Sequence, residues 1–162
     1  MNIEHVEPDD IEKRSFEIIT KELEAMNIIV PEDKAFIIKR AIHATADFDY
    51  AKTLVFSDNA VNIMTELIRE GAVIVTDTNM GLSGINKAAL AGCGAKAFCF
   101  MADEAVAKEA KEKGVTRAHI SMERASRLGG KIIFAIGNAP TALIKLKLNR
   151  SEERRVGKEC RS

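Results

Sequence analysis

The chain has 162 residues, 46% of them hydrophobic and 30% charged, which is the composition of a globular protein with a single core. Lysine and arginine together number 24, as do aspartate and glutamate, so no net charge draws the chain to nucleic acid or to a membrane surface. No stretch approaches the ~20 apolar residues of a membrane span, and the N-terminus lacks the basic and apolar regions of a signal peptide. We therefore expect a cytoplasmic protein.

The three cysteines, Cys93, Cys99 and Cys160, are scattered and form no C-x-x-C pair. An odd, dispersed set is typical of a reducing compartment and not of a disulfide framework. Cys93 and Cys99 lie in or beside an apolar run, which predicts small buried side chains. The cysteines form no zinc-ligand pattern with the three histidines either, so we predict no metal site.

The first third of the chain has the periodicity of two helices. Apolar residues recur at helical spacing from Glu7 to Met26, with Glu and Lys elsewhere. A second helix is predicted to begin at Pro31, because proline lacks only an N–H that the first helical turn leaves unpaired. The acidic pair after this proline suits the positive end of the helix dipole, and the pattern continues into the segment around His43.

From residue 53 onwards, short apolar runs alternate with helical patterns. The predicted strands are Thr53–Phe56, Ala72–Val75, Ala95–Met101 and Ile132–Ile136. The predicted helices follow Ser57 or Asp58 and end near Gly71, span Ile85–Leu90, follow Asp103 as far as Gly114, span Thr116–Leu128, and run from the turn at Gly137–Thr141 to Leu148. This alternation predicts an α/β fold, a doubly wound parallel sheet with flanking helices of the Rossmann or flavodoxin type.

Ligands of such sheets bind outside the carboxyl ends of the strands. Three predicted strands end there in polar or glycine-rich loops: Asp77–Gly84, Ala102–Asp103 and Gly137–Thr141. None of these loops carries a phosphate-binding fingerprint, G-x-G-x-x-G or G-x-x-x-x-G-K-[ST]. A flavodoxin-like nucleotide-binding protein is therefore a hypothesis that the sequence does not support.

The second predicted helix carries a histidine on its polar side. The apolar stripe of this helix comprises Ile37, Ile38, Ala41, Ile42 and Thr45. The opposite face comprises Phe36, Arg40, His43 and Asp47. Helical spacing would make Arg40 and Asp47 the neighbours of His43, and an imidazole titrates near neutral pH, where it can transfer protons. Taken alone, the segment is explained more simply as a solvated polar face that contains a histidine.

A polar residue, Ser15, falls within the apolar arc of the first predicted helix. One interpretation is a buried hydroxyl that donates to the carbonyl four residues earlier. The other is a hydroxyl offered to a ligand across the apolar face. The helical pattern alone favours the first.

The composition changes after Leu148. Residues 149–162 are charged, hold almost no apolar side chains and have no amphipathic period, which predicts a disordered tail foreign to the domain. Four strands also make a thin doubly wound sheet. We therefore expect residues 1–148 to be an α/β domain that is incomplete at its C-terminal end.

Several segments together resemble the precorrin-8X methylmutases, or cobalt-precorrin-8 methylmutases, of cobalamin biosynthesis. The resemblance covers residues 10–148, and the segments that carry it are Arg14-Ser15-Phe16, Arg40-Ala41-Ile42-His43-Ala44-Thr45-Ala46-Asp47, Val55-Phe56-Ser57, Asp77 with Met80, Gly84-Ile85, Thr116-Arg117 and Ala135-Ile136-Gly137-Asn138-Ala139-Pro140-Thr141-Ala142-Leu143. The histidine segment and the Gly-Asn-Ala-Pro-Thr-Ala-Leu segment, in this order, are the most specific of these.

The resemblance implies an isomerase that moves a methyl group from C-11 to C-12 of the corrinoid precorrin-8, or of its cobalt form, to give hydrogenobyrinate or cobyrinate. It also implies a parallel α/β sheet, a homodimer with its site near the subunit interface, and no cofactor. His43 matches the catalytic acid that protonates the macrocycle. The substrate contacts implied with it are Ser15, Arg40, Thr45, Met80, Gly84, Arg117 and Asn138.

Two other hypotheses stay open beside the methylmutase. A non-catalytic corrinoid-binding or carrier protein would need the same pocket, because a tetrapyrrole can be retained without rearrangement. An inactive, truncated fragment of the enzyme is the other. The sequence does not decide between a substrate with cobalt and one without it, because metal in the ring need not contact the protein.

Overall fold

A computed structural model describes residues 8–148. The chain divides into two compact units, Met1–Val61 and Asn62–Ser162. Among the described helices, none is long and apolar enough to span a membrane. The segment 149–162, for which the sequence predicts disorder, lies outside the described residues.

The first unit is built on two long helices. Helix α1 spans Pro8–Ala25 and helix α2 spans Glu32–Thr45, followed by a single helical turn, α3, at Tyr50–Thr53. The two long helices share a buried core of Ile19, Leu23, Ile38 and Ile42. Both helices predicted from apolar periodicity are therefore confirmed, and Pro31 directly precedes the first residue of α2.

The predicted strand at Thr53–Phe56 is wrong. Thr53 ends α3, and the chain continues without a strand partner among the described residues. Leu54 and Phe56 pack on the core of α1 and α2, whereas Val55 is 92% exposed. This alternation has the period of a strand, but the described part of this unit offers only helices, which cannot extend a hydrogen-bonded ladder.

The described part of the second unit holds a three-stranded parallel sheet. Strand β1 spans Val73–Thr76, β2 spans Lys96–Phe98 and β3 spans Ile132–Ala135, in the order β2-β1-β3. Ile74 of the central strand is paired with Ala97 on one side and Ile133 on the other. The other three predicted strands are therefore confirmed, with slightly different ends.

Helices cover both faces of this sheet, as a doubly wound fold requires. They are α4 (Ala60–Arg69), α5 (Asn79–Gly84), α6 (Lys87–Gly92), α7 (Glu104–Lys113), α8 (Arg117–Ser126) and the helical residues 140–148. Val75 of β1 belongs to a core with Met122 of α8. Ile74, which points to the other face, packs with Leu90 of α6 and Ile68 of α4. The predicted α/β architecture is confirmed.

Several helix ends in this unit follow the predicted capping residues. Asp103 caps α7 through its carboxylate, and Gly114 closes the same helix with a φ of 64°. The predicted helix Ile85–Leu90 is confirmed only in part: α6 begins at Lys87, and a second short helix, α5, precedes it within the segment predicted as a loop. Asn86 caps α6, because its side chain accepts a hydrogen bond from the N–H of Ala89 at 3.0 Å.

The start of α4 differs from the prediction, although its end does not. The helix begins at Ala60, directly after Asn59, so neither predicted cap occupies the flanking position. Ser57 takes part through its carbonyl, which accepts a hydrogen bond from the N–H of Ala60 at 3.2 Å. Gly71 follows the helix with a φ of 78°, as the sequence predicts.

The prediction that Cys93 and Cys99 are buried is wrong, because Cys93 is exposed and Cys99 is half-buried. Cys93 directly follows α6, where the turn at Gly94 leads the chain into β2. This turn interrupts the apolar run on which the prediction rests. Cys160 lies outside the described residues.

Candidate functional site

His43 lies in the last turn of α2, on its exposed side. Its imidazole ring meets the ring of Phe16 from α1 in an edge-to-face arrangement, with centroids 5.8 Å apart and planes at 87°. The adjacent Ile42 is 1% exposed and belongs to the core. The predicted placement of His43 away from the apolar stripe is therefore confirmed, with an aromatic side chain against the imidazole.

Arg40, one turn before His43, contacts two phenyl rings. Its guanidinium carbon, Cζ, lies 5.4 Å from the ring centroid of Phe16 and 5.3 Å from that of Phe36. Its Nη2 is 2.6 Å from Oε1 of Glu12 in α1. A guanidinium group is attracted both to aromatic faces and to carboxylates, so these contacts orient the Arg40 side chain although 47% of it is exposed.

The α1–α2 cluster is the name we give to these five residues: Glu12, Phe16, Phe36, Arg40 and His43. Its members from α2 lie four and three residues apart, which places them along one ridge of the helix. A surface of this kind offers aromatic rings, guanidinium donors beyond the one that contacts Glu12, and an imidazole that can exchange a proton. Its aromatic faces can contact apolar groups, and its guanidinium N–H groups can donate to carboxylates.

Asp47 is not a helical neighbour of His43. Helix α2 ends at Thr45, and Ala46 adopts the left-handed conformation with a φ of 56°. The Asp47 carboxylate then accepts a hydrogen bond from the N–H of Asp49 at 2.9 Å, as aspartates in turns commonly do. The prediction that helical spacing places Asp47 beside His43 is therefore wrong, because the chain leaves the helix between them.

Thr45 and Ser15, two predicted substrate contacts, differ in their hydrogen bonding. The Thr45 hydroxyl donates to the carbonyl of Ala41 at 2.8 Å and accepts from the N–H of Asp47 at 3.2 Å, so it helps to end α2. Ser15 is half-buried, and within residues 8–148 its hydroxyl makes no hydrogen bond to the carbonyl four residues earlier. That interpretation of Ser15 is wrong. A contact between Ser15 and a ligand stays a prediction.

Asp77 in the second unit directly follows β1 and is 2% exposed. Its carboxylate accepts three backbone hydrogen bonds from the loop after β3: one from Gly137 at 3.1 Å, and one each from Asn138 and Ala139 at 2.8 Å. Burial raises the pKa of Asp77, but hydrogen bonds from the backbone, those of these three residues and of Asp77 itself, together lower it by more. The net pKa of this carboxyl lies below its usual range, so Asp77 is ionised at neutral pH.

These hydrogen bonds join the carboxyl ends of β1 and β3. In the order β2-β1-β3, the crevice between β1 and β3 is the switch point, where doubly wound sheets bind their ligands. Three N–H groups that could receive an anionic ligand there are already bound to the carboxylate of Asp77. The loop is therefore built around an internal anion, which agrees with the absence of a phosphate-binding fingerprint.

The remaining predicted contacts lie on exposed surface at this end of the second unit. Asn138 is exposed, although its backbone N–H donates a hydrogen bond to Asp77. Arg117 is the first residue of α8 and is also exposed. The preceding residue, Thr116, donates through its hydroxyl to the hydroxyl of Thr141 at 3.3 Å, which brings the start of α8 to the start of the helical segment 140–148. Arg117 and Asn138 thus lie at the same end of the sheet, one at the start of α8 and the other in the loop after β3.

Met80 and Gly84 both belong to the short helix α5. Met80 is 85% exposed. Gly84 ends the helix, and a Cβ atom added to it would meet nothing within 4 Å. Neither residue has a structural role that explains its identity.

The predicted site residues thus fall into two groups, one in each compact unit. Ser15, Arg40, His43 and Thr45 belong to the first unit, and Met80, Gly84, Arg117 and Asn138 belong to the second. Within the first group, Arg40 and His43 share one neighbour, Phe16. In the described part of the chain, no group of three or more His, Cys, Asp or Glu side chains could hold a metal ion.

Sequence reasoning missed three residues that organise these groups: Glu12, Phe16 and Asp77. Phe16 and Asp77 lie within segments that carry the family resemblance, and Asp77 follows a buried strand, which were the available signals. Their partners, however, lie in other segments of the chain. Contacts between distant segments cannot be predicted from a local pattern of residues.

Comparisons with known proteins identify the family. The family model "Precorrin-8X methylmutase" matches residues 10–156. The chain belongs to this family. It is 38% identical to the cobalt-precorrin-8 methylmutase of Priestia megaterium, covering 87% of this chain and 62% of that protein. The corresponding protein of Leptospira interrogans is 40% identical, with 88% of this chain and 66% of that protein covered.

Solved structures of the family have the same fold. A precorrin-8X methylmutase from Thermus thermophilus superimposes with a TM-score of 0.76 at 32% identity, covering 88% of this chain and 69% of that one. A "precorrin-8X methylmutase related protein" gives 0.72 at 27% identity, covering 86% and 71%. The chain thus spans about two thirds of the length of the relatives that it matches.

Replacing Asp77 by Asn removes the charge to which the three N–H groups are bound while keeping the size of the side chain. We expect the free energy of unfolding at neutral pH to fall by about 1.5–3 kcal/mol, the usual contribution of a hydrogen bond to a charged group. The folded-state pKa of Asp77 is lowered, so the ionised carboxylate stabilises the folded wild type. This extra free energy of unfolding is fully present above the ordinary carboxyl pKa and is lost as the pH falls through the folded-state pKa. Urea denaturation at neutral pH and at about pH 3 measures both effects.

The matched control for this experiment is Asp58→Asn, since Asp58 is exposed. Its effect on the free energy of unfolding should stay within about 0.5 kcal/mol. An Asp77→Asn variant as stable as the wild type at neutral pH would contradict the stabilising role of Asp77. The stabilising role would also be contradicted if the difference in free energy of unfolding between the wild type and Asp77→Asn grew as the pH fell.

Proposed function

We propose that the protein is a methylmutase that moves the methyl group at C-11 of precorrin-8 to C-12, giving hydrogenobyrinate, or cobyrinate when the ring carries cobalt. Membership of the precorrin-8X methylmutase family supports this proposal. The structural observation that carries it is the α1–α2 cluster, in which a histidine and an arginine share an aromatic neighbour on an exposed surface. Such a surface combines proton transfer with the binding of a flat anionic ligand.

His43 acts in this proposal as the acid that protonates the macrocycle while the methyl group migrates. Its ring is exposed and, within residues 8–148, has no hydrogen-bond or ion-pair partner, so a nitrogen atom is available to a substrate. Because an isomerisation leaves the composition of the substrate unchanged, the proton gained is balanced by the loss of a proton elsewhere on the macrocycle. The reaction needs no net oxidation or reduction, and we propose no cofactor.

The substrate contacts that we propose follow from the chemistry of the ligand. A corrinoid is a partly apolar disc edged with carboxylates, and guanidinium groups bind carboxylates through paired N–H donors. Arg40 and Arg117 are proposed for the carboxylates. The other proposed contacts are the polar residues Ser15, Thr45 and Asn138, together with Met80 and Gly84. We further propose a homodimer located in the cytoplasm.

Replacing His43 by Ala should abolish most of the turnover and retain product binding. A positioned general acid contributes roughly 10²–10⁴-fold to the rate, so we expect a loss of that size in kcat. The assay follows the absorbance change as precorrin-8 is converted to hydrogenobyrinate, and a titration with hydrogenobyrinate measures the affinity.

His119→Ala is the matched control for this variant, since His119 is a half-buried residue of α8 with no role in the proposal. Its turnover should equal that of the wild type. Near-normal turnover in a folded His43→Ala variant would overturn the assignment of His43 as the acid. Binding of the corrinoid without turnover in the wild type as well would favour a carrier protein.

Replacing Arg40 or Arg117 by Ala should weaken the binding of hydrogenobyrinate by roughly 10–100-fold each, because a hydrogen bond to a charged group is worth about 1.5–3 kcal/mol. Arg40→Lys should restore the affinity only in part. Lysine lacks the planar fork and cannot reproduce the contacts of a guanidinium with Phe16 and Phe36.

Arg69→Ala serves as the control in the same titration, since Arg69 is an exposed residue at the end of α4. It should bind hydrogenobyrinate as the wild type does. Unchanged affinity in both the Arg40→Ala and Arg117→Ala variants would count against a binding role for these arginines. Full recovery of affinity in Arg40→Lys would contradict the importance of the planar group.

A further inference from the structure

We infer that Phe16 is a positioning residue of this enzyme: its ring orients the imidazole of His43 and supports the guanidinium of Arg40. The inference rests on the proposed function, since it concerns the residues proposed there as acid and carboxylate contact. Phe16 lies in α1, is half-buried and packs on the core beneath the cluster. Its position in α1 is therefore set by this core packing and not by its contacts with His43 and Arg40.

The ring of Phe16 contacts all three α2 residues of the cluster. Its centroid is 5.9 Å from that of Phe36, 5.4 Å from the Cζ atom of Arg40 and 5.8 Å from the centroid of His43. Residues 36, 40 and 43 follow one another along a ridge of α2. Phe16 therefore faces this ridge from the neighbouring helix.

His43 depends on this contact more than Arg40 does. A histidine is usually oriented by a hydrogen bond from one of its ring nitrogens, but Asp47, the carboxylate nearest in the sequence, bonds instead to the N–H of Asp49. Among the described residues, the contact that the imidazole ring of His43 makes is the edge-to-face contact with Phe16. Such a contact restricts the ring, while neither ring nitrogen has a hydrogen-bond partner among residues 8–148.

Arg40 has two further supports that do not involve Phe16. Glu12 pairs with its Nη2, and Phe36 lies on the guanidinium group at 5.3 Å. Loss of Phe16 should therefore impair the acid more than the carboxylate contact. Among the described residues Phe36 contacts Arg40 and Phe16 but makes no ring contact with His43, so its loss should impair the carboxylate contact more than the acid.

The test compares Phe16→Leu with Phe36→Leu, because both replacements remove a ring and keep an apolar side chain of similar size. A misplaced catalytic group can cost on the order of 10²-fold in rate, so we expect kcat of Phe16→Leu to fall by roughly 10–100-fold with little change in KM. Phe36→Leu should raise KM and keep kcat within about threefold of the wild type. Phe16→Tyr, which retains the ring, should recover most of the lost kcat.

Equal losses of kcat in the two leucine variants would overturn the inference, as would an effect of Phe16→Leu on KM alone. Failure of Phe16→Tyr to recover any of the rate would also contradict it. Urea denaturation of each variant checks that the loss of rate does not follow the loss of stability.

A second readout separates this inference from the proposed function. Aromatic rings shift the NMR signals of protons held beside them, so the imidazole C–H signals of His43 should be displaced in the free wild-type protein. The displacement should disappear in Phe16→Leu and persist in Phe16→Tyr and Phe36→Leu. If the wild type converts no precorrin-8, the proposed function fails, and the NMR result still decides whether Phe16 holds His43. Identical His43 signals in the wild type and Phe16→Leu would overturn the inference.

Discussion

The packing of α1 on α2 decides where the side chains of the α1–α2 cluster lie. Four buried aliphatic residues form the contact: Ile19, Leu23, Ile38 and Ile42. Helical spacing then places Phe16 one turn before the first of these and His43 next to the last, at the rim of the core. Burial of each aliphatic side chain contributes about 1.5–3 kcal/mol, whereas an exposed ion pair such as Arg40–Glu12 contributes far less. The core therefore sets the geometry of the aromatic and charged contacts above it.

The comparable constraint in the second unit is electrostatic. Asp77 binds the N–H groups of residues 137–139, which fixes the path of the chain between β3 and the helical segment 140–148. The same three hydrogen bonds hold the Asp77 carboxylate at the switch point of the sheet, between the ends of β1 and β3. These N–H groups are thus already bound, and the contacts that we propose for an anionic ligand in this unit are the exposed residues Asn138 and Arg117. One end of the sheet thus combines a rigid loop with exposed polar side chains.

Periodicity predicted both long helices and the three strands of the sheet, because the faces of helices and strands repeat at fixed intervals. The prediction of a strand at Thr53–Phe56 failed because this alternating apolar segment packs on helices. The predicted contact between Asp47 and His43 failed because α2 ends at the left-handed residue Ala46. Within the site, the sequence indicated the exposed face of His43 but not its neighbour Phe16. Phe16 and Asp77 act through contacts between distant segments, 60 residues apart in the case of Asp77 and Gly137. Local patterns contain no information on such pairs.

The methyl migration is tested most directly with precorrin-8 that carries a ¹³C-labelled methyl group at C-11. If the protein is a methylmutase, incubation with it moves the label to C-12, and the ¹³C NMR spectrum of the product contains the signal of a methyl group at that carbon. The label moves within one molecule, so a mixture of labelled and unlabelled substrate yields no exchange between the two. A corrinoid that binds to the protein and keeps its label at C-11 would contradict the proposed function.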